Sequence, residues 1–270
     1  MTNTKNIEIS MDDVYTFMQC PLKYQLTKIH EIPSEDDYKS AVLYSKGIHQ
    51  TISYFYYEVM QGRLPTLRQM RDKWANYYYS IFEEDKKTKE NFLHARTGTD
   101  HQRTSQILNR GMEAIYAFYA ENKDNPGTPI AVNYPFRIAV QDDLILTGEF
   151  ELIRERTDSD NRRMIEIVDF KTSNNKTDAS SGFFLRHDLR ATAMFYAFQE
   201  QFNSSPDRFV FDYIGSDKQL SLYRDENEIK RLKSVLKGVR NGIKQEDFYP
   251  RQSFMCKNCS MMNYCDRLQF

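Results

Sequence analysis

The segment Ile165-Glu166-Ile167-Val168-Asp169-Phe170-Lys171-Thr172 ends an apolar run with a carboxylate and an ammonium two residues apart. In a β-strand residues i and i+2 point to one side, about 6.6 to 6.8 Å apart, so Asp169 and Lys171 share a face. Groups so placed can hold a divalent cation and, beside it, orient or stabilise a water that attacks a phosphodiester. The backbone carbonyl of Phe170 is the natural extra oxygen ligand. One carboxylate is too few for a hard cation, which prefers several oxygens. The segment Gly148-Glu149-Phe150-Glu151-Leu152-Ile153 supplies a second. If the two segments pair as a hairpin, Glu151 or Glu149, which share a face, comes to lie beside Asp169. A lone Asp-x-Lys is more often a solvated strand edge, so the motif needs support from the rest of the chain.

The four cysteines are the second group with chemistry to offer. Cys256, Cys259 and Cys265 form a C-x2-C-x5-C pattern near the end of the chain, and Cys20, followed by Pro21, lies near its start. A C-x2-C turn lets two thiolates face one metal centre, a third close behind completes three corners, and Cys20 is the remaining thiol for the fourth. On spacing alone zinc and an iron–sulfur cluster are rivals, and a buried Cys20 beside a zinc-binding or empty trio is the bland reading. Either centre would close a loop comprising most of the chain, so its loss should destabilise the fold.

These residues must be positioned by elements that the pattern suggests. Ser10-Met11-Asp12-Asp13 reads as a capping box that opens a helix running through Cys20. Ile48, Ile52, Phe55 and Val59 mark the inner face of a second helix that ends near Gly62. Thr66 opens a third, with Leu67, Met70, Trp74, Tyr77 and Ile81 inward, and a fourth runs from about Thr104 to Glu121. After the breaker Asn125-Pro126-Gly127-Thr128-Pro129, three antiparallel strands are expected at Tyr134 to Val140, Leu144 to Arg154 and Met164 to Phe170. They are separated by Gln141-Asp142-Asp143 and Asp158-Ser159-Asp160-Asn161. A helix from Leu185 to Phe202 follows, then strands Arg208 to Ile214 and Gln219 to Tyr223. The last helix runs from Glu226 to Arg240 and is closed by Asn241-Gly242.

Composition bounds the partners. Hydrophobic residues make up 40% and charged ones 28%, with 10 Gly and 8 Pro, which is ordinary globular material. With 37 Lys and Arg against 38 Asp and Glu there is no global positive field, so nucleic acid must be held by local patches. One such patch is the stripe Lys230, Lys233, Lys237 and Arg240, and aromatic residues such as Tyr77-Tyr78-Tyr79 offer stacking surfaces. No apolar run approaches the roughly 20 residues that span a bilayer, and the N-terminus lacks a signal-peptide pattern. A cytoplasmic protein without a membrane role is expected, in a setting where cysteines bind metal rather than form disulfides.

Taken in order, Cys20-Pro21, Gly47-Ile48-His49, Gly148-Glu149-Phe150-Glu151, Val168-Asp169-Phe170-Lys171-Thr172, a helix with Tyr196 and the final C-x2-C-x5-C resemble the RecB-like branch of the PD-(D/E)XK nucleases. More narrowly, the chain resembles its iron–sulfur members: CRISPR-associated RecB-like exonucleases, the nuclease domain of AddB-type recombination subunits and related phage exonucleases. The resemblance covers nearly the whole chain. It implies an α/β restriction-endonuclease-like core, a mixed sheet flanked by helices, with a helical N-terminal half. The implied single nuclease domain, 1–270, divides into a cluster region (1–30 and 244–270), a helical region (40–125) and a nuclease core (129–240). It implies Mg2+ or Mn2+ held by His49, Glu151, Asp169 and the Phe170 carbonyl, with Lys171, Asp169 and Glu151 catalytic and Tyr196 positioning substrate. It also implies a structural 4Fe-4S cluster on Cys20, Cys256, Cys259 and Cys265. The implied activity is exonucleolytic DNA hydrolysis on single-stranded or frayed ends, in recombination and repair, CRISPR adaptation or phage DNA metabolism, with a protein partner in a recombination or CRISPR adaptation complex. Two departures stand out: Glu151 where the family usually has Asp, and Thr192 where it has Gln. The alternative they raise is a weak or inactive DNA-binding subunit.

Overall fold

The computed structural model of the chain describes residues 6–33, 40–90, 100–141, 143–172, 187–215 and 218–267. Strand β1 (Ile7–Ser10) leads into helix α1 (Met11–Gln19), followed by a short α2 (Pro21–Tyr24) and a π-turn at Gln25–Ile29. The long helices α3 (Ser40–Met60), α4 (Leu67–Glu90) and α5 (Asp100–Asn122) come next. Strands β2 (Thr128–Gln141), β3 (Leu144–Thr157) and β4 (Arg163–Lys171) precede α6 (Leu189–Phe202), β5 (Arg208–Tyr213), β6 (Lys218–Leu222) and α7 (Glu226–Lys244). A 3-10 turn (Phe254–Asn258) and the short α8 (Met262–Cys265) complete the order.

The capping box forms as expected. The Asp13 amide donates to Ser10 Oγ at 3.2 Å and the Ser10 amide to Asp13 Oδ2 at 2.8 Å. The strands form one mixed sheet in the order β1-β3-β4-β5-β6, with β2 on the other edge of β3. The expected antiparallel β2-β3-β4 run is present. Two parallel pairings, β1 with β3 and β4 with β5, were not anticipated. One face of the sheet packs on α1, α6 and α7 through Val14, Phe195, Leu232 and Leu236, and the other on α3 to α5 through Ile48, Ile52, Phe55, Trp74 and Phe118. The result is a central mixed sheet flanked by helices.

Several boundaries differ from the sequence reading. The helix expected from Leu185 is described from Leu189; Leu185 itself, like Asp142 of the expected turn and the side chain of Ile81, lies outside the described residues. The last helix does not stop at Asn241-Gly242 but continues to Lys244. Gly242 serves close packing instead of a turn: a Cβ there would lie 2.5 Å from the Phe17 ring. Two of the four residues of the basic stripe on this helix have internal partners. Arg240 Nε donates to Asp143 Oδ1 at 2.9 Å, and Lys233 Nζ sits 4.3 Å from the Tyr196 ring centroid.

Strand β3 forks the sheet. Its first four residues, Leu144 to Thr147, pair with β1, and Leu152 to Thr157 pair with β4 along the same edge. Between them Gly148 to Glu151 pair with neither. The closed arm of the fork is pinned by directly opposed, fully buried Arg154 and Glu166. Arg154 Nε donates to Glu166 Oε2 at 2.9 Å, and Arg208 Nε donates to Glu166 Oε1 at 2.8 Å. Removing one member of a buried ion pair strands the other charge, at a cost of about 3–5 kcal/mol. Glu166→Gln is therefore expected to lower unfolding free energy by about 3 kcal/mol. Urea denaturation checks this, and an unchanged midpoint would refute it.

Candidate active site

The fork opens a cleft of about 330 Å3 whose lining includes His49, Glu149, Glu151, Asp169, Lys171 and Arg190. Its walls come from both layers: α3 brings Ser45 and His49 from one face, and α6 brings Arg190 and Met194 from the other. Strand β4 brings Asp169 and Lys171, which share a face as their spacing predicts. Lys171 Nζ lies 2.8 Å from Asp169 Oδ1 and 4.8 Å from the centroid of the Phe211 ring. Phe170 points the other way into the core, stacked on Tyr56 with centroids 6.0 Å apart.

Glu151 is held by the backbone that β3 leaves unpaired. The Phe170 amide donates to Glu151 Oε2 at 2.9 Å, so a side-chain carboxylate accepts where a strand partner would otherwise have served. The alternation of β3 also changes phase here. Phe150 faces the α6 layer and Leu152 faces the α3 layer, although residues two apart in a regular strand share a side. On β2 the residue facing this point is Asn133, with a left-handed φ of 46° that asparagine tolerates better than most residues. Gly148 supplies the room next to it, since a Cβ there would lie 2.4 Å from the Phe136 ring.

His49 Nδ1 is in direct contact with Glu151 Oε1. Burial by itself lowers the His49 pKa, but the hydrogen bond and charge of Glu151, with the charge of Asp169, outweigh it and hold the imidazole above its ordinary value. Glu149 is shifted upward by burial and then by the charge of Glu151. The predicted residues His49, Glu151, Asp169, Phe170 and Lys171 thus converge on one cleft. Tyr196 is not among its lining; it is buried in the core, where burial and then Glu200 push its pKa up to about 12. Thr192 is buried too and accepts from Arg224 Nε at 2.8 Å. Arg190, two residues earlier, is the charged member of this helix that reaches the cleft, ion-paired to Asp12. A cation two residues before Thr192 is visible in the sequence, but its direction depends on how α6 is rotated.

The donor set suits a hard divalent ion: two carboxylates and one imidazole in a polar cleft. Among the described residues no three His, Cys, Asp or Glu side chains are already converged on one ion position. Glu151 is instead engaged by His49 and the Phe170 amide, and Asp169 by Lys171.

The four cysteines line a second cavity, of about 550 Å3, together with Leu22, Leu26 and Met261. The Arg251 amide donates to Cys20 Sγ at 3.5 Å and the Ser253 amide to Cys256 Sγ at 3.4 Å. Burial, followed by the charges of Cys20, Asp266, Cys259 and Cys256, holds the Cys265 thiol above its ordinary pKa. The two chain ends are joined here, with the Leu22 amide donating to the Tyr249 carbonyl at 3.2 Å. No described helix is long and apolar enough to cross a membrane.

The raised His49 pKa has a signed consequence for the metal-free protein. A folded value above the unfolded one, about 6.5, gives stability that is fully present below that value and is lost as pH rises through the folded value. The gap in thermal midpoint between wild type and His49→Gln should be wide near pH 6 and narrow by about pH 9. Equal gaps at both pH values would show that the pair carries no such charge.

A model of the PD-(D/E)XK nuclease superfamily matches residues 8–266. Among curated proteins no sequence matches this chain. Among solved structures, one titled "Crystal structure of SSO0001" is similar at 14% identity, covering 71% of this chain and 98% of that one, with a TM-score of 0.34. On a family match that spans almost its whole length, this chain belongs to the PD-(D/E)XK nuclease superfamily.

Proposed function

We propose that the chain is a Mg2+- or Mn2+-dependent DNA exonuclease of the RecB-like iron–sulfur branch, acting in the cytoplasm on single-stranded or frayed ends. The observation that carries the reading is the meeting of Glu151, Asp169, Lys171 and His49 at the sheet fork. Glu151, Asp169, His49 and the Phe170 carbonyl would hold the ion, which would supply Lewis acidity and a more acidic water. Lys171, fixed between Asp169 and the Phe211 ring, is placed to donate to a phosphate oxygen or orient the attacking water. Arg190 adds a second cation on the opposite wall. An unpaired strand end is the substrate that the sequence resemblance supports. DNA recombination or repair, CRISPR adaptation and phage DNA metabolism, each with a protein partner, are the settings that the sequence resemblance supports.

The cysteine cavity is proposed to hold a structural 4Fe-4S cluster. Four thiols around one space, with two backbone amides aimed at sulfur, fit a thiolate-ligated centre whose charge would reverse the repulsion that Cys265 feels. A second reading, a DNA-binding subunit with weak or no activity, is favoured by Thr192, which is turned into the core and committed to Arg224.

Lys171→Ala should abolish Mn2+-dependent degradation of end-labelled DNA, with a thermal midpoint close to that of wild type. Undiminished cleavage would sink the catalytic assignment, and wild-type binding without hydrolysis would establish the second reading. Anaerobic purification should give a brown protein with about four irons and four sulfides per chain. Cys20→Ser should lose most of this iron and unfold more readily, whereas stoichiometric zinc in wild type would replace the cluster with a zinc site.

A further inference from the structure

The cleft continues past the His49–Glu151 contact into a second depression of about 400 Å3. Ser45, His49, Glu149 and Glu151 wall both spaces. The second is completed by Lys46, Gln50, Ser53, Tyr77 and Asn133. This lining follows from how α3 is divided. Tyr44, Ile48, Ile52, Phe55 and Tyr56 are buried, while Ser45, Lys46, His49, Gln50 and Ser53 recur at helical spacing as a polar stripe turned to the fork.

The stripe is joined to the sheet at the β2 irregularity. Ser53 Oγ lies 3.1 Å from Asn133 Oδ1 and 2.9 Å from the His49 carbonyl. Asn133 is the left-handed residue opposite Glu151, so the distortion that sets the acid also shapes the second depression. Tyr77, from α4, closes the far side. An exposed ammonium, two carboxamides, a hydroxyl and a phenol ring are the groups that bind a nucleotide without reading its sequence: a cation for phosphate, an aromatic face for a base and amides for sugar or base edges. Each of the two spaces is near the small end of the range for ligand pockets, a size that matches one nucleotide unit.

We propose that the second depression is a subsite for the nucleotide adjoining the attacked phosphodiester, so that an unpaired strand passes from Arg190 and Lys171, over His49 and Glu151, to Lys46, Gln50 and Tyr77. The inference rests on the nuclease reading and adds the path of the strand. Lys46 takes the phosphate of the adjoining nucleotide, and Gln50 and Tyr77 take its sugar and base.

The test compares wild type with Lys46→Ala and with the Lys46→Ala/Gln50→Ala double variant, each confirmed as folded by its thermal midpoint. With Mn2+, kcat/KM is measured on a dT6 oligonucleotide and on the p-nitrophenyl ester of thymidine 5′-monophosphate, which has one nucleotide only. The preference for dT6 over the ester should fall about tenfold in the double variant, and a preference equal to that of wild type overturns the subsite. With Ca2+ replacing Mn2+, fluorescein-labelled dT6 is bound across a salt series. The slope of log K on log salt should become shallower by about 0.7 in Lys46→Ala, the loss of one single-strand phosphate contact. An unchanged slope overturns the assignment of Lys46. If wild type cleaves neither substrate, hydrolysis under the proposed function fails, while the binding slope still decides the subsite.

Discussion

The candidate active site depends on the place where β3 and β4 stop pairing. Two interactions define it. On the closed side, buried Arg154 and Glu166 face each other across the ladder, and an ion pair without solvent on either member tolerates little change of register. On the open side the Phe170 amide has lost its strand partner and is satisfied by Glu151. A buried donor must be paired, so the carboxylate proposed as a metal ligand is also the acceptor that lets the strands separate.

The fork also explains how two helical layers serve one cleft. A continuous sheet would keep α3 and α6 on opposite sides, but the separation of β3 from β4 brings His49 from one layer and Arg190 from the other to the same space. The charges are balanced within the protein: His49 answers Glu151, Lys171 answers Asp169, and Arg190 is held by Asp12. A divalent ion bound at the proposed ligands would have to compete with His49 and with the ammonium of Lys171 for the acids. Lys171 also sits over the Phe211 ring.

The cysteine cavity lies at a distance in function but closes the same architecture. It gathers α2, the segment from Pro250 to Ser253, the 3-10 turn and α8, short pieces whose own core consists of Leu22, Leu26 and Met261. So small an apolar cluster buries little surface, so the proposed metal centre would contribute much of the local stability. The nearby α1 carries Asp12, which is ion-paired to Arg190 of the cleft.

Local patterns determined much of this protein in advance. The capping box before α1, the apolar stripe of α3, the antiparallel β2-β3-β4 run and the shared face of Asp169 and Lys171 all follow from short-range periodicity and hydrogen-bonding chemistry, which act within a few residues. The order of motifs around Asp169 and Lys171 pointed to the superfamily for the same reason, since each motif is a local arrangement. What only the tertiary structure decided required distant partners. The parallel pairing of β1 depends on a strand more than a hundred residues away, Gly242 was misread as a stop because Phe17 is invisible from its own neighbours, and the rotation of α6 turned Tyr196 into the core and Arg190 into the cleft. The contact between His49 and Glu151, the fork that frees Glu151 and the polar stripe beyond it are likewise products of packing. No stretch of the chain taken alone contains the reason why β3 lets go of β4.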